Sequence, residues 1–224
     1  LASAMLRKAR RRAPLLRRLR CVCADAESLP FREASFDLVF SNLVFQWAND
    51  LDRVFREVQR VLRPNGVLLF TSLGPDTLKE LRQSWAHADS HVHVNRFIDM
   101  HDVGDALIRA QLTAPVMEME YFTLAYRQAR DLVRELKMLG AHNIAAGRNI
   151  GLTGRRRWLA MEAAYERLRT PEGRLPATYE VIYGHAWGTA GMKPARQVAD
   201  RSNEVRVPVA GLGIRRSGAG TGGD

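Results

Sequence analysis

Three short stretches place polar chemistry where the chain leaves an apolar run. "CADAE" (23–27) offers a carboxylate at Asp25. "FSNLVFQW" (40–47) offers the carboxamide of Asn42, then Gln46 and the indole of Trp47. "FTSLGPDT" (70–77) offers hydroxyls and a Gly-Pro turn. In open α/β sheets ligands bind beyond the carboxyl ends of the strands, so these three tips are where a ligand site is expected. No Ser/His/Asp set or pair of carboxylates accompanies them. His93, His101 and His142 match no metal-ligand set and read as loop or helix-end residues.

The elements that must position these tips follow from hydrophobic spacing. "SAMLRKARRRAPLLRRL" reads as a helix interrupted near Pro14, and "RCVCADAESLPF" as a short strand running into a loop. Phe36–Phe40 is a near-continuous apolar run, the mark of a strand covered on both faces. Leu51, Val54, Phe55, Val58, Val61 and Leu62 form the core stripe of a helix, capped by Asp50 or Asn49 and stopped by Pro64-Asn65-Gly66. Val67–Phe70 reads as a second buried strand, and "GPDTLKELRQSW" opens a helix with Pro75 in its first turn. Helical patterns return at 101–112, 128–139 and 155–169, and strands at Val116–Tyr126 and Thr178–Trp187. Such alternation predicts an α/β fold with a mainly parallel sheet and helices on both faces. The expected division is a domain over 1–187 followed by a flexible tail, 188–224, although "EVRVPVAGL" could add an edge strand.

Composition sets outer limits. The 224 residues are 46% hydrophobic, enough for one α/β domain with a full core. No run approaches the roughly 18 apolar residues of a membrane span. The two cysteines, Cys21 and Cys23, are two apart on one strand, poor geometry for a bridge, and read as buried thiols in a reducing cytoplasm. The net charge of +10 is concentrated at Arg7–Arg20 and in "GRRRW" (154–158), runs that attract polyanions: nucleic acid, a membrane surface or an acidic protein.

Taken together, "ADAESLPF", "FDLVFSNLVFQW" and "EVQRVLRPNGVLLF" resemble, in order and spacing, the later part of the class I S-adenosylmethionine-dependent methyltransferases, a Rossmann-like fold. "HVNRFIDMHDVGDAL", "LKMLGAHNIAAGRNIGLTGRRR" and "LPATYEVIYGHAW" narrow the resemblance to the malonyl-[acyl-carrier-protein] O-methyltransferases of biotin synthesis. That family begins with a strand and glycine-rich turn of the D-x-G-x-G-x-G kind, which are not found here. The resemblance therefore implies an incomplete enzyme, whose remaining strands cannot form one continuous sheet and leave strand edges exposed.

The implied reaction moves a methyl group from S-adenosylmethionine to the free carboxylate of a malonyl thioester, carried by acyl carrier protein or coenzyme A. A carboxylate is already anionic at pH 7, so no general base or metal is expected; placement and desolvation suffice. The resemblance assigns cofactor binding to Asp25, Ala26 and Asn42. Gln46 and Trp47 wall the methyl-transfer chamber, and Arg96 or Arg148 orients the anionic substrate through its fork. Tyr179 and Tyr183 either pack the sheet or line an acyl tunnel. Arg155, Arg156 and Arg157 are candidates for docking the acidic carrier protein, with Arg17, Arg18 and Arg20 as second choices.

Other readings remain open on residues alone. The "NLVFQW" element also occurs in methyltransferases of small free carboxylic acids such as trans-aconitate, which would need no docking face. A non-catalytic basic binder or remnant is the third reading. Against nucleic acid, Arg is not interleaved with aromatics on any strand and no recognition motif is present.

Overall fold

Val54, Phe55, Val58 and Val61 recur at helical spacing and fall on the buried face of α2 (Leu51–Val61). The Asp50 side chain caps this helix by accepting from the Arg53 backbone N–H at 2.9 Å. The stripe packs against Leu68 and Phe70 of β2 (Leu62–Leu73), and against Val103, Ala106 and Leu107 of a later helix, α4 (Met100–Arg109). The structure, a computed structural model, describes residues 3–12, 20–140, 148, 151 and 153–189. Its other elements are α1 (Ser3–Arg12), β1 (Phe36–Asn42), α3 (Lys79–Ala86), β3 (Thr113–Tyr126), α5 (Ala129–Met138), α6 (Arg155–Glu166) and β4 (Leu175–Trp187). A 3-10 turn at Phe45–Trp47 follows β1.

The four strands form one sheet in the order β1-β2-β4-β3. β1 and β2 are parallel, and β4 runs antiparallel to both β2 and β3. This corrects one expectation. The sheet is mixed rather than mainly parallel, because α/β alternation in a sequence does not record which way a strand re-enters. The four described strands pair continuously, and the 20–24 segment is not among them.

Helices lie on both faces. Even-numbered Gly184 and Ala186 of β4 face α2 and α4 through Phe70, Leu68 and Met117. Odd-numbered Leu175, Ala177 and Tyr179 join the second core with Leu81 and Trp85 of α3, Leu132 of α5, and Met161 and Tyr165 of α6. The latter face stays partly open. Phe40 (68% exposed) and Leu38 (50%) of β1 point into it, with Leu69 and Tyr183 beside them. β1 is therefore covered on one face only among the described residues, and its outer edge pairs with no described strand, the exposed edge that the resemblance implied.

Other boundaries moved for local reasons. Residues 20–24 form no strand; the segment makes only an isolated Asp25–Ser28 bridge and has no described strand beside it to take its backbone groups. Cys23 is accordingly exposed and Cys21 half-buried, not the buried pair expected. α3 starts at Lys79, after the Pro75 turn, because β4 claims the intervening backbone: Gly74 N–H donates to Glu180 O at 2.9 Å and Leu78 N–H to Thr178 O at 2.7 Å. Past β4, Gly188 exchanges hydrogen bonds with Asn65 and Gly66 at 2.9 and 2.8 Å. The rest of the expected tail, residues 190–224, lies outside the described residues, as do Arg17, Arg18 and His142.

Gly184 is where the sheet meets the core most closely. A Cβ there would lie 2.3 Å from Phe70 Cζ and 2.9 Å from Met117 Sδ. Gly184→Ala is expected to cost about 1–3 kcal/mol by forcing Phe70 off its packing. Thermal or urea unfolding checks this, and an unchanged midpoint would contradict it.

Candidate active site

The carboxyl ends of β1 and β2 lie side by side, and a hydroxyl joins them. Thr71 Oγ1 donates to Asn42 Oδ1 at 2.7 Å and accepts from the Leu43 backbone N–H at 3.1 Å. Asn42 thus spends its carboxamide oxygen inside the protein and keeps its NH2 as a donor. Leu43 turns sharply with φ 52°, and Leu78, across the site, has φ 56°. Such left-handed conformations cost a non-glycine residue about 1–3 kcal/mol and gather at functional sites. The turn leads into Phe45–Trp47, whose Phe45 is buried against Phe55 and Phe70.

Gln46 and Trp47 then project at the junction of two cavities. The Gln46 Nε2 donates to Leu43 O at 2.8 Å, while its Oε1 is buried and has no hydrogen-bond partner among the described residues. The first cavity, about 330 Å³, is walled by Leu43, Leu73, Leu78, Leu81, Leu136 and Tyr179, besides Gln46 and Trp47. The second, about 320 Å³, shares Gln46, Trp47 and Asn95 with it, but adds Asn49 and Arg96. An apolar chamber and a polar one therefore meet at Gln46-Trp47.

Asp25 and Ala26 reach this junction through a residue that sequence reasoning passed over. Glu27 Oε1 accepts from the Asn49 and Asp50 backbone N–H groups at 2.9 and 3.2 Å, tying the 25–28 turn to the end of the Trp47 turn. No local signal marks it, because its partner lies 22 residues away. Ala26 packs on the core. The Asp25 side chain is exposed; its Oδ1 accepts from Glu27 N–H at 3.0 Å, leaving Oδ2 for a ligand. Arg60 and Glu57 of α2 hold the next stretch of the loop. Arg60 donates to Leu29 O and Phe31 O at 2.8 and 2.7 Å, and Glu57 accepts from Leu29 N–H at 2.7 Å. The bond from Arg60 keeps the Glu57 carboxyl below its ordinary range.

The remaining candidates divide. Arg96 is exposed, lines the polar cavity and makes no ion pair among the described residues. Arg148 is exposed as well, but is not part of either cavity wall. Arg155 and Arg156 are exposed at the start of α6, whereas Arg157 turns inward to within 3.7 Å of Asp89. Tyr179 lines the apolar cavity, and Tyr183 lies on the open sheet face. His93, expected to be an ordinary loop residue, is also in the cavity wall. Among the described residues no three His, Cys, Asp or Glu side chains gather as metal ligands, and no helix is long and apolar enough to cross a membrane.

Comparison with known proteins agrees with this geometry. A family model described as "Methyltransferase domain" matches residues 1–70. The solved structure of the YcgJ protein from Bacillus subtilis superposes with a TM-score of 0.54 at 17% identity, over 85% of this chain and 77% of that one. Residues 1–70 thus resemble a methyltransferase domain, and the second likeness supports a Rossmann-like sheet. The malonyl-[acyl-carrier protein] O-methyltransferase of Halorhodospira halophila is 52% identical over 96% of this chain and 72% of its own length. That of Laribacter hongkongensis is 54% identical over 87% of this chain and 63% of its own length. The chain belongs to the malonyl-[acyl-carrier protein] O-methyltransferase family.

The clasp between α2 and the 29–31 loop gives a testable consequence. The Glu57 carboxyl is depressed in the folded protein, so its contribution is present above the ordinary carboxylate range of about pH 4 and is lost as pH falls through the lowered value. Arg60→Ala should speed amide hydrogen exchange at Glu27–Phe31 at neutral pH while leaving the β2–β4 ladder protected. Equal protection of the loop in both proteins would contradict the clasp.

Proposed function

We propose that the protein transfers a methyl group from S-adenosylmethionine to the free carboxylate of a malonyl thioester on an acyl carrier protein, giving the methyl ester, an early step in biotin synthesis. The observation that carries this reading is the meeting of an apolar and a polar cavity at Gln46-Trp47, beyond the ends of β1 and β2. Family membership supplies the substrate class.

The residues present fit the cofactor. The buried Gln46 Oε1 is an acceptor without a donor among the described residues, and S-adenosylmethionine carries an ammonium. Asn42 has a spare NH2 for that cofactor's carboxylate, and Asp25 a spare oxygen for an adenine amino group. Ala26 supplies backbone beside it. When bound, the cofactor supplies a methyl group activated by a sulfonium. The protein's part is to orient and desolvate an acceptor that is anionic at pH 7. Trp47 and the leucine walls exclude water, and Arg96 offers a positive charge on the polar side. An orphan acceptor at Gln46 would repel a carboxylate, so its partner is the cofactor rather than the substrate to which the sequence assigned it. Arg148 is retained only as a family-based candidate for the substrate.

Carrier-protein docking is assigned to the α5–α6 surface. Arg155 and Arg156 begin α6, where cations oppose the helix dipole, so they contribute little to folding. Arg130, Arg134 and Lys137 of α5 line a shallow groove with Val133 and Trp158. Leu136, on the same helix, walls the apolar cavity, so an acidic partner seated there would bring its thioester to the entrance.

The test is methyl transfer by the protein expressed from its natural coding sequence, with malonyl-carrier protein, a small malonyl thioester and free dicarboxylic acids as acceptors. Ester formation on both thioesters but not on the free acids is expected; preference for a free acid would overturn the reading. Replacing Arg130, Arg134 and Lys137 together by Glu should raise KM for the carrier substrate about tenfold and leave the small thioester unaffected. Equal loss on both would contradict the docking assignment.

A further inference from the structure

The wall of the apolar cavity holds an imidazole in a fixed orientation. The His93 ring lies flat on the indole of Trp85, with centroids 3.8 Å apart and 7° between the planes. Its Nε2 is 2.7 Å from Asp89 Oδ1, which also accepts from the His91 backbone N–H at 3.0 Å. The side chains of His93 and Asp89 are only 11% and 13% exposed. Turning the ring would break the carboxylate bond and the stack together. With Nε2 committed to Asp89, Nδ1 is the polar atom left to the cavity.

Asp89 is a carboxylate at hydrogen-bond distance, so Nε2 carries its proton toward it, and a carboxylate bound at Nδ1 would hold a second proton on the ring. Burial works against the Asp89 charge, but the bonds from His93 and His91 outweigh it and hold its carboxyl below the usual range. Arg157 of α6 forms an ion pair with Asp89 Oδ2 at 3.7 Å, and among the described residues neither that oxygen nor Arg157 Nη1 has a hydrogen-bond partner. Tyr179 of β4, kept protonated by burial, lines the same cavity. With an acceptor carboxylate bound, the ring presents a single N–H to a largely apolar chamber.

Single-point donation matters for this acceptor. A guanidinium fork grips both oxygens of a carboxylate and lowers their nucleophilicity. One N–H can hold one oxygen and leave the other free to attack. We propose that His93, locked by Asp89 and Trp85, binds the carboxylate of the malonyl acceptor through Nδ1, with Asp89 as its positioning residue. This rests on the cavity being the acceptor site.

The test follows the His93 imidazole signals by NMR in the protein saturated with S-adenosylhomocysteine, while malonyl-pantetheine is added. The uncharged methyl ester of the same thioester serves as the comparison. Malonyl-pantetheine should shift the His93 ring signals, and the methyl ester should not. His93→Gln should raise KM for the malonyl thioester about tenfold or more with unchanged affinity for S-adenosylhomocysteine. Asp89→Asn should weaken acceptor binding by a similar factor with unchanged affinity for S-adenosylhomocysteine. Malonyl-pantetheine that perturbs Trp47 but leaves the His93 signals unmoved would overturn the proposal while the cavity assignment stands. Failure to perturb any cavity residue would overturn both.

Discussion

The antiparallel ladder between β2 and β4 is the contact on which the rest of the structure depends. Its pairs run from Val67↔Trp187 to Leu73↔Val181. On one side β2 carries β1, and so the Asn42 tip; on the other β4 carries β3. Beyond the ladder, β4 continues to bond the 74–78 segment through Glu180 O and Thr178 O, and this sets where α3 begins. Two buried carboxylates fasten the junction. Glu180 accepts from Asp76 N–H at 2.7 Å, and Glu80 of α3 accepts from the Thr178 backbone N–H at 3.0 Å and from its hydroxyl. The cavity is the gap left between the β1 tip and the segment that β4 holds in place.

The proposed reaction requires no acid–base constellation of this frame. The acceptor is ionised in water before it binds, so what limits its reactivity is hydration and direction. Apolar walls from Leu43, Leu73 and Leu78 address the first, and fixed polar groups at the cavity junction address the second. The strained backbone at Leu43 and Leu78 belongs to the same design, because each turns a leucine side chain into the chamber wall at a point where the chain must also reverse.

Much of this was legible in the sequence. The stripe on α2, the Asp50 cap and the position of Asn42-Gln46-Trp47 beyond a strand follow from local spacing, because helix periodicity and strand tips are short-range facts. What escaped were properties set by distant partners. Residues 20–24 have the composition of a strand, but a strand also requires a neighbour. Phe36–Phe40 read as doubly covered, yet Leu38 and Phe40 face open space. Strand direction in β4 carries no signature at all. At the site, Glu27 and His93 gain meaning only from Asn49, Asp89 and Trp85 beside them, and Arg157 differs from Arg155 and Arg156 solely by pointing at Asp89.

The central claim is that cofactor and acceptor meet at Gln46-Trp47. Hydrogen-exchange mapping of the protein expressed from its natural coding sequence tests it most directly, with S-adenosylhomocysteine and malonyl-carrier protein added singly and together. S-adenosylhomocysteine should protect 25–28 and 42–47, the carrier substrate should protect 73–81, 92–97 and α5, and both ligands should be needed for full protection of Gln46 and Trp47. Protection confined to the open sheet face around Phe40 and Tyr183, with these segments unchanged, would contradict it.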